Sequence, residues 1–397
     1  MMDGDGGMFG TTRTGAGLLF SDALLAFERM PGAHERQHFL GGIIHMKHAI
    51  AFELLRKLKK GRIVKTRNLT FKVASFVSAT VLLAAGVEDA SARPKPPEPY
   101  PTTVNCDAGE SIMDAIANGY TRITVAGECD EQVVINIDGI TLLSDGANPG
   151  SIIASTGIPV RIGGADGVII DGLTIEAVSG PYGIITTHAQ ALIQDVDLIG
   201  GTVTALAVRS NSTISFGAGA TISGAGVGAT VFSSSSLSIG HAMISEVDFA
   251  GVVATGASYL ALFNTIVDGS AVANDSVGVA ANNGSTVRIT NGTISDFGDA
   301  GVTGENSSIR IEGATIEDNG NVSTPNYPGD GGVIVAAGSN VFISRNAVIK
   351  NNDGYGLAVI EGSGGACRWA DIEANTTNLF VDAGSGLGQT SACILTP

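Results

Sequence analysis

Bases are scarce in the larger part of this 397-residue chain. Beyond Ala92 the imidazoles are His188 and His241 and the ammonium groups are Lys95 and Lys350, beside eight arginines. A base, an arginine and a phenol held together could abstract a proton α to a carboxylate and neutralise the charge that develops. Tyr182, His188 and Arg209 form the set whose spacing allows this. His188 stands five residues after Gly183, and Arg209 four residues after Ala205. Tyr182 opens the same short apolar segment as His188. If those segments are equivalent strands on adjacent turns of a stack, His188 and Arg209 lie within about 5–8 Å. His241 falls where neighbouring segments carry Asn or Gly, so it reads as a turn residue.

A second set is acidic. Glu246, Asp268, Asp296 and Asp318, followed by Asn351, each come two residues after a recurrent Ile, with Asp299 and Asp353 nearby. Stacked carboxylates repel and raise one another's pKa. They escape by splaying into water or by sharing a hard cation such as Ca²⁺ through oxygen ligands. The competing reading is a turn in which Asp or Asn bonds its own backbone. The segment 319–331, NGNVSTPNYPGDG, would project beside this column, and Tyr327 would wall a groove.

Both sets presuppose a repeat, and the chain has one. An apolar position recurs as Ile175, Leu198, Ile222, Ile244, Ile266, Ile294, Ile316 and Ile349, at intervals of 23, 24, 22, 22, 28, 22 and 33 residues. A small residue before a β-branched run recurs as Gly183, Ala205, Gly228, Gly251, Gly278, Gly301, Gly332 and Gly356. Its intervals are 22, 23, 23, 27, 23, 31 and 24, so both series find the long units at the same places. One unit, VGVAANNGSTVRITNGTISDFGDA, reads as three short alternating strands separated by polar turns. A single unit cannot bury its apolar face. Stacked at about 4.8 Å, units bury a continuous Ile/Val column and pair their backbones in parallel sheets. The recurrent glycines suit turns that need positive φ. The reading is an all-β solenoid of 10–11 coils.

Its ends need covering. GESIMDAIANG (residues 109–119) has Ile112, Met113 and Ile116 at helical spacing and is the expected N-terminal capping helix. Four cysteines, Cys106, Cys129, Cys367 and Cys393, lie two near each end. Pairing Cys106 with Cys129 and Cys367 with Cys393 is the one connectivity that avoids linking opposite ends of an elongated body. Each bridge would add roughly 3 kcal/mol and implies an oxidising compartment.

The rest of the sequence agrees with export. Residues 71–86, FKVASFVSATVLLAAG, have the length of a signal-peptide core and are short for a membrane span. A basic run precedes them (Arg56, Lys57, Lys59, Lys60, Arg62, Lys65, Arg67), and Ala90-Ser91-Ala92 offers a cleavage site. The expected divisions are 1–45, a dispensable or mis-assigned leader; 46–92, the signal region; 93–101, a Pro-rich linker; and 102–397, the solenoid. The product is expected to be secreted or periplasmic, with no membrane span after cleavage near Ala92. Four of six histidines (His34, His38, His45, His48) fall in the removable part. Beyond Ala92 there are 10 Lys and Arg against 30 Asp and Glu. Such a surface repels nucleic acid and anionic headgroups, and would repel polyuronates unless cations intervene.

The opening CDAGESIMDAIANGYTRITVAGECDEQVVINIDGITLLSD and the later coils resemble the right-handed parallel β-helix proteins of the pectin-lyase-like superfamily, over residues 102–393. That resemblance implies a right-handed solenoid and a polysaccharide partner. It implies no particular activity, because one fold hosts many functions. Polygalacturonase-like hydrolases share Asn-Thr-Asp, Asp-Asp, Gly-His-Gly and Arg-x-Lys. Here Asn264-Thr265 is followed by Ile266, Gly240-His241 by Ala242, Asp-Asp is missing, and the one Arg-x-Lys, Arg93-Pro94-Lys95, lies in the Pro-rich linker. The Asp-Pro-His of alginate epimerases is missing too. Aromatic platforms are few, and the single tryptophan, Trp369, reads as core. Two expectations stand: a protein that contacts polysaccharide along the solenoid, lyase-like if catalytic, with Tyr182, His188 and Arg209 as its site; or a structural or adhesive surface protein.

Overall fold

A computed structural model of the chain describes residues 100–270, 276–320, 330–389 and 393–396. The leader, the signal region and most of the linker lie outside the described residues, as do Tyr327 and most of the expected projecting segment. Each coil has three strands. In one coil they are Val277–Asn282, Thr286–Thr290 and Thr293–Ser295. First strands stack into an 11-stranded sheet running from Val133–Ile135 to Thr377–Val381. Second and third strands stack into two ladders of one 23-stranded sheet. They merge because Asn340–Lys350 and Gly364–Glu373 run through the corner unbroken. The strands pair in parallel, coil on coil. The stack comes to about 12 turns. That exceeds the 10–11 expected.

The apolar column is continuous: Ile175, Leu198, Ile222, Ile244, Val267, Ile294, Ile316, Ile349 and Ile372 pair in register. One member differs from the sequence reading. Val267 is the buried residue and Ile266 the exposed one. With Val267 in place the intervals become 23 and 27, matching the glycine series.

The glycine series has a different cause from the one expected. These residues do not have positive φ. A Cβ built on Gly228 would lie 2.6 Å from Ile244 Cγ2, one on Gly301 2.6 Å from Ile316 Cγ2, and one on Gly332 2.7 Å from Ile349 Cγ2. The two recurrent markers are therefore the two sides of one contact across the interior. The left-handed turn positions fall instead to residues such as His188, His241, Asn264, Asn291, Asp296 and Asp318.

Two polar ladders run through this core. From the Thr204–Arg209 coil onward, buried serines occupy the turn after the first strand, among them Ser212, Ser235, Ser258, Ser285, Ser339 and Ser363. The N–H of Ser212 donates to Ser235 Oγ at 3.2 Å, and that of Ser339 to Ser363 Oγ at 3.1 Å. On the opposite corner Asn319 Nδ2 donates to Asn352 Oδ1 (3.0 Å), and Asn352 Nδ2 to Asn375 Oδ1 (2.8 Å). Buried turns thus satisfy their polar groups internally.

At the first coil a helix spans Ile112–Ala117 and buries Ile112, Ala115 and Ile116. Ser111 caps it by accepting from the Asp114 N–H (3.2 Å). The Glu131 carboxylate accepts from the N–H groups of Ile112 (2.7 Å) and Met113 (3.3 Å). An anion at a helix N-terminus is favourable. Both expected disulfides form, Cys106–Cys129 and Cys367–Cys393. No helix among the described residues is long and apolar enough to cross a membrane.

Filling the gap opposite the apolar column should be costly. Gly301→Ala is expected to destabilise by about 1–3 kcal/mol. Gly163→Ala, where a Cβ meets nothing within 4 Å, should leave the thermal midpoint unchanged. Equal shifts in the two variants would contradict the packing account.

Candidate ligand-binding face

Register decides which expected residues meet. The first strand Tyr182–Thr187 lies beside Thr204–Arg209, with Tyr182 opposite Thr204 and Thr187 opposite Arg209. The Arg209 guanidinium sits 4.8 Å from the Tyr182 ring centroid and 4.7 Å from that of Phe232. Its Nη2 donates to Tyr182 Oη at 2.5 Å. The phenol also packs on a small outer cluster of Ile158, Ile185 and Ala207. His188 follows the other end of the strand, in a left-handed turn (φ 51°), exposed, its N–H bonded to Ser210 O at 3.1 Å. Six strand residues separate its Cα from that of Tyr182 by roughly 20 Å. The structure joins Tyr182 to Arg209, and the register puts His188 beside Ser210, the residue after Arg209.

The acidic column is likewise redistributed. Glu246, Asp296, Asp318 and Asn351 all have φ of 53–65° in the turn after a third strand. Asp268 does not belong to it. It pairs with Ser295, one position earlier, and Gly269 takes the equivalent turn position. The cause is the same one-residue difference that exchanges Ile266 for Val267. The Asp268 carboxylate instead accepts the Ser270 N–H at 2.9 Å. Glu246 is therefore two coils from Asp296, and only Asp296 and Asp318 adjoin. Burial first, then Glu317 and Asp296, push the Asp318 carboxyl above its ordinary value, while Lys350 opposes them. Lys350 Nζ pairs with Glu317 at 3.0 Å. Among the described residues the converging His/Cys/Asp/Glu group is Cys106, Cys129 and Glu131, and its two sulfurs are bonded to each other.

The densest chemistry lies on the outward face of the second strands. In TVRIT and SIRIE the alternation buries Val287, Ile289, Ile309 and Ile311 and turns Arg288 and Arg310 outward. These arginines are paired across adjacent coils. Between them at the strand end sits Glu312, whose side chain is 0% exposed. Arg288 Nη2 and Nε reach Glu312 Oε2 at 2.7 and 3.1 Å. Arg310 Nη2 reaches Oε1 at 2.7 Å, and Arg345 Nε, from the corner of the next coil, at 3.3 Å. Burial pushes the Glu312 carboxyl up, but hydrogen bonds and charge from Arg310 and Arg288 outweigh it, so it stays ionised below its ordinary range. The hydrogen bonds and charge of Glu312 raise Arg288 further, and nearby Tyr259 adds to this.

Aromatic rings border the arginines. Tyr259 and Phe263 stand exposed on the preceding second strand. Tyr259 pairs with Thr286 and Phe263 with Thr290. His241 meets Phe263 edge-on at 5.3 Å. Arg310 lies 5.1 Å from the Phe342 centroid. Trp369 is not core: it is 54% exposed at the corner, with the Arg368 guanidinium 4.0 Å from its ring. The sequence reading passed over this face because each coil contributes only one or two of its residues. The available signal was an Arg at the centre of two successive second strands.

Nothing among curated proteins matches the chain in sequence. The sequence does match the right-handed β-helix region family over residues 157–377. That is more than half of its length, and the chain belongs to this family. Among solved structures it is similar to the A-module of a mannuronan C-5 epimerase from Azotobacter vinelandii (14% identity, TM-score 0.44, covering 70% of this chain and 93% of that one). It is also similar to the catalytic domain of an α-1,3-glucanase (13% identity, TM-score 0.39, covering 77% and 70%). A third is an alginate lyase from Paenibacillus sp. str. FPU-7 (11% identity, TM-score 0.30, covering 74% and 99%). No residue role transfers at such distances.

Removing the buried carboxylate leaves three guanidiniums unneutralised. Glu312→Gln is expected to lower stability by about 3 kcal/mol at neutral pH. The folded carboxyl lies below its unfolded value, so its stabilisation is present above roughly pH 4.3 and fades as pH falls through the folded value. The stability difference between wild type and variant should therefore shrink on acidification; a pH-independent difference would contradict the ion-pair network.

Proposed function

We propose that this chain is an exported protein that binds polysaccharide along the second-strand face without cleaving it. The supporting observation is that three exposed aromatics and four of the eight arginines beyond Ala92 lie on neighbouring coils of one sheet, in a chain poor in both. Tyr259 and Phe263 present rings on the coil next to that of Arg288, and Trp369 on the coil of Arg368, with Arg310 and Arg345 on the two coils between. Aromatic rings combine a large apolar area with rigid geometry, and such rings pack against the C–H faces of sugars. Two disulfides suit a protein that works in an oxidising space.

Binding without turnover follows from the groups present. The carboxylate at the centre of the face, Glu312, is held by three guanidiniums and is a poor base. Tyr182 and Arg209, the better half of the expected lyase set, bond to each other. The alternative, a rigid spacer or adhesive body, is favoured by the regular stacking and makes no use of the aromatic face.

Titration of the full chain with soluble polysaccharides should show binding that weakens about tenfold in Phe263→Ala, a loss near 1.4 kcal/mol. Incubation with polyuronates should produce no rise in ultraviolet absorbance from unsaturated ends. A rise that His188→Ala or Arg209→Ala removes would restore the lyase reading. No binding to any polysaccharide would favour the spacer.

A further inference from the structure

We infer that this face takes the acid groups of an anionic polysaccharide directly on Arg288, Arg310 and Arg345, with no bridging metal ion. The inference rests on the binding role proposed above and names its ligand class. Of the 10 cationic side chains beyond Ala92, four are Arg288, Arg310, Arg345 and Arg368, on four successive coils of one sheet. Pairing of Arg288 with Arg310, of Arg310 with Phe342 and of Ser344 with Arg368 fixes their order. The line they form is roughly 14 Å long, three strand spacings of about 4.8 Å.

The charges do not cancel. Three guanidiniums share one carboxylate. Each guanidinium has five N–H donors. Glu312 takes two from Arg288 and one from Arg310, and Arg345 Nε lies 3.3 Å from it as an ion pair. The three side chains remain 44%, 50% and 65% exposed, so water meets their other donors. Glu312 also holds the heads in place. Arginines fixed this way lose less freedom when an acid docks, and their planar forks match a carboxylate.

The surroundings select among anions. The rest of the exported part is strongly acidic, and nucleic acid, a densely charged polyanion, would be repelled beyond the patch. A glycan with one acid per sugar, or fewer, meets the guanidiniums without crowding charge elsewhere. Its sugar faces would lie on Tyr259, Phe263 and Trp369. A divalent cation is disfavoured at the patch by the guanidiniums themselves. The sequence reading, that polyuronates need cations to approach this acidic protein, is thus reversed at this one place.

Binding to the full chain can be compared for an α-1,4-linked galacturonate oligomer and its carboxyl-reduced, neutral counterpart, by calorimetry at low salt with and without EDTA. The acidic oligomer should bind on the order of tenfold tighter, near 1.4 kcal/mol. That preference should fall with added salt, ignore EDTA, and vanish in Arg345→Gln, the variant whose bond to Glu312 is longest and whose fold is least at risk. A preference that survives both Arg345→Gln and Arg288→Gln in folded protein overturns the inference, as does one that EDTA abolishes. Equal affinity for the two oligomers overturns it while leaving polysaccharide binding intact. Failure of both oligomers and of neutral glycans overturns the binding role itself.

Discussion

Seven coils close by pressing the apolar side chain of the third strand onto a glycine of the first strand. Ile294 meets Gly278, Ile316 meets Gly301, and Ile349 meets Gly332. The contact sets how near the two sheets approach, and so the cross-section of the solenoid. It also fixes register, because a slip of one residue would turn every strand inside out. The contact is kept across the longer intervals, at Gly251 and Gly278 and at Gly301 and Gly332. The interior therefore stays uniform through the coils that hold the serine and asparagine ladders.

A uniform interior frees the outward positions, and these differ from face to face. The first-strand sheet pairs Tyr182 with Arg209 over a small apolar cluster. The turns after the third strands display acids because left-handed positions accept Asp and Asn. The second strands line up guanidiniums on one buried carboxylate, with rings on either side. Parallel stacking brings Arg288, Arg310 and Arg345 together from a span of 58 residues. The proposed binding role depends on that stacking more than on any local motif.

The fold was legible because it depends on spacing. Two recurrent residue types located the coils, and the cysteines located the ends. The slip in the apolar series, Ile266 for Val267, arose because two β-branched neighbours look alike in a series, and it carried Asp268 into the wrong column. The role of the glycines was not legible, since the sequence cannot separate a glycine needed for φ from one needed for room. The second-strand face was missed for a related reason. Glu312 looks like an ordinary strand-end acid until three arginines from three coils are placed around it. Trp369 looked like core because large aromatics usually are, yet the corner turns it outward.

The central claim is that a ligand lies across the second strands. Hydrogen exchange of the full chain, with and without the galacturonate oligomer, tests it most directly. The account predicts slower exchange within Tyr259–Phe263, Thr286–Thr290, Ser308–Glu312 and the first half of Asn340–Lys350, with Tyr182–Thr187 and Thr204–Arg209 unchanged. Protection confined to the Tyr182 and Arg209 strands would contradict it.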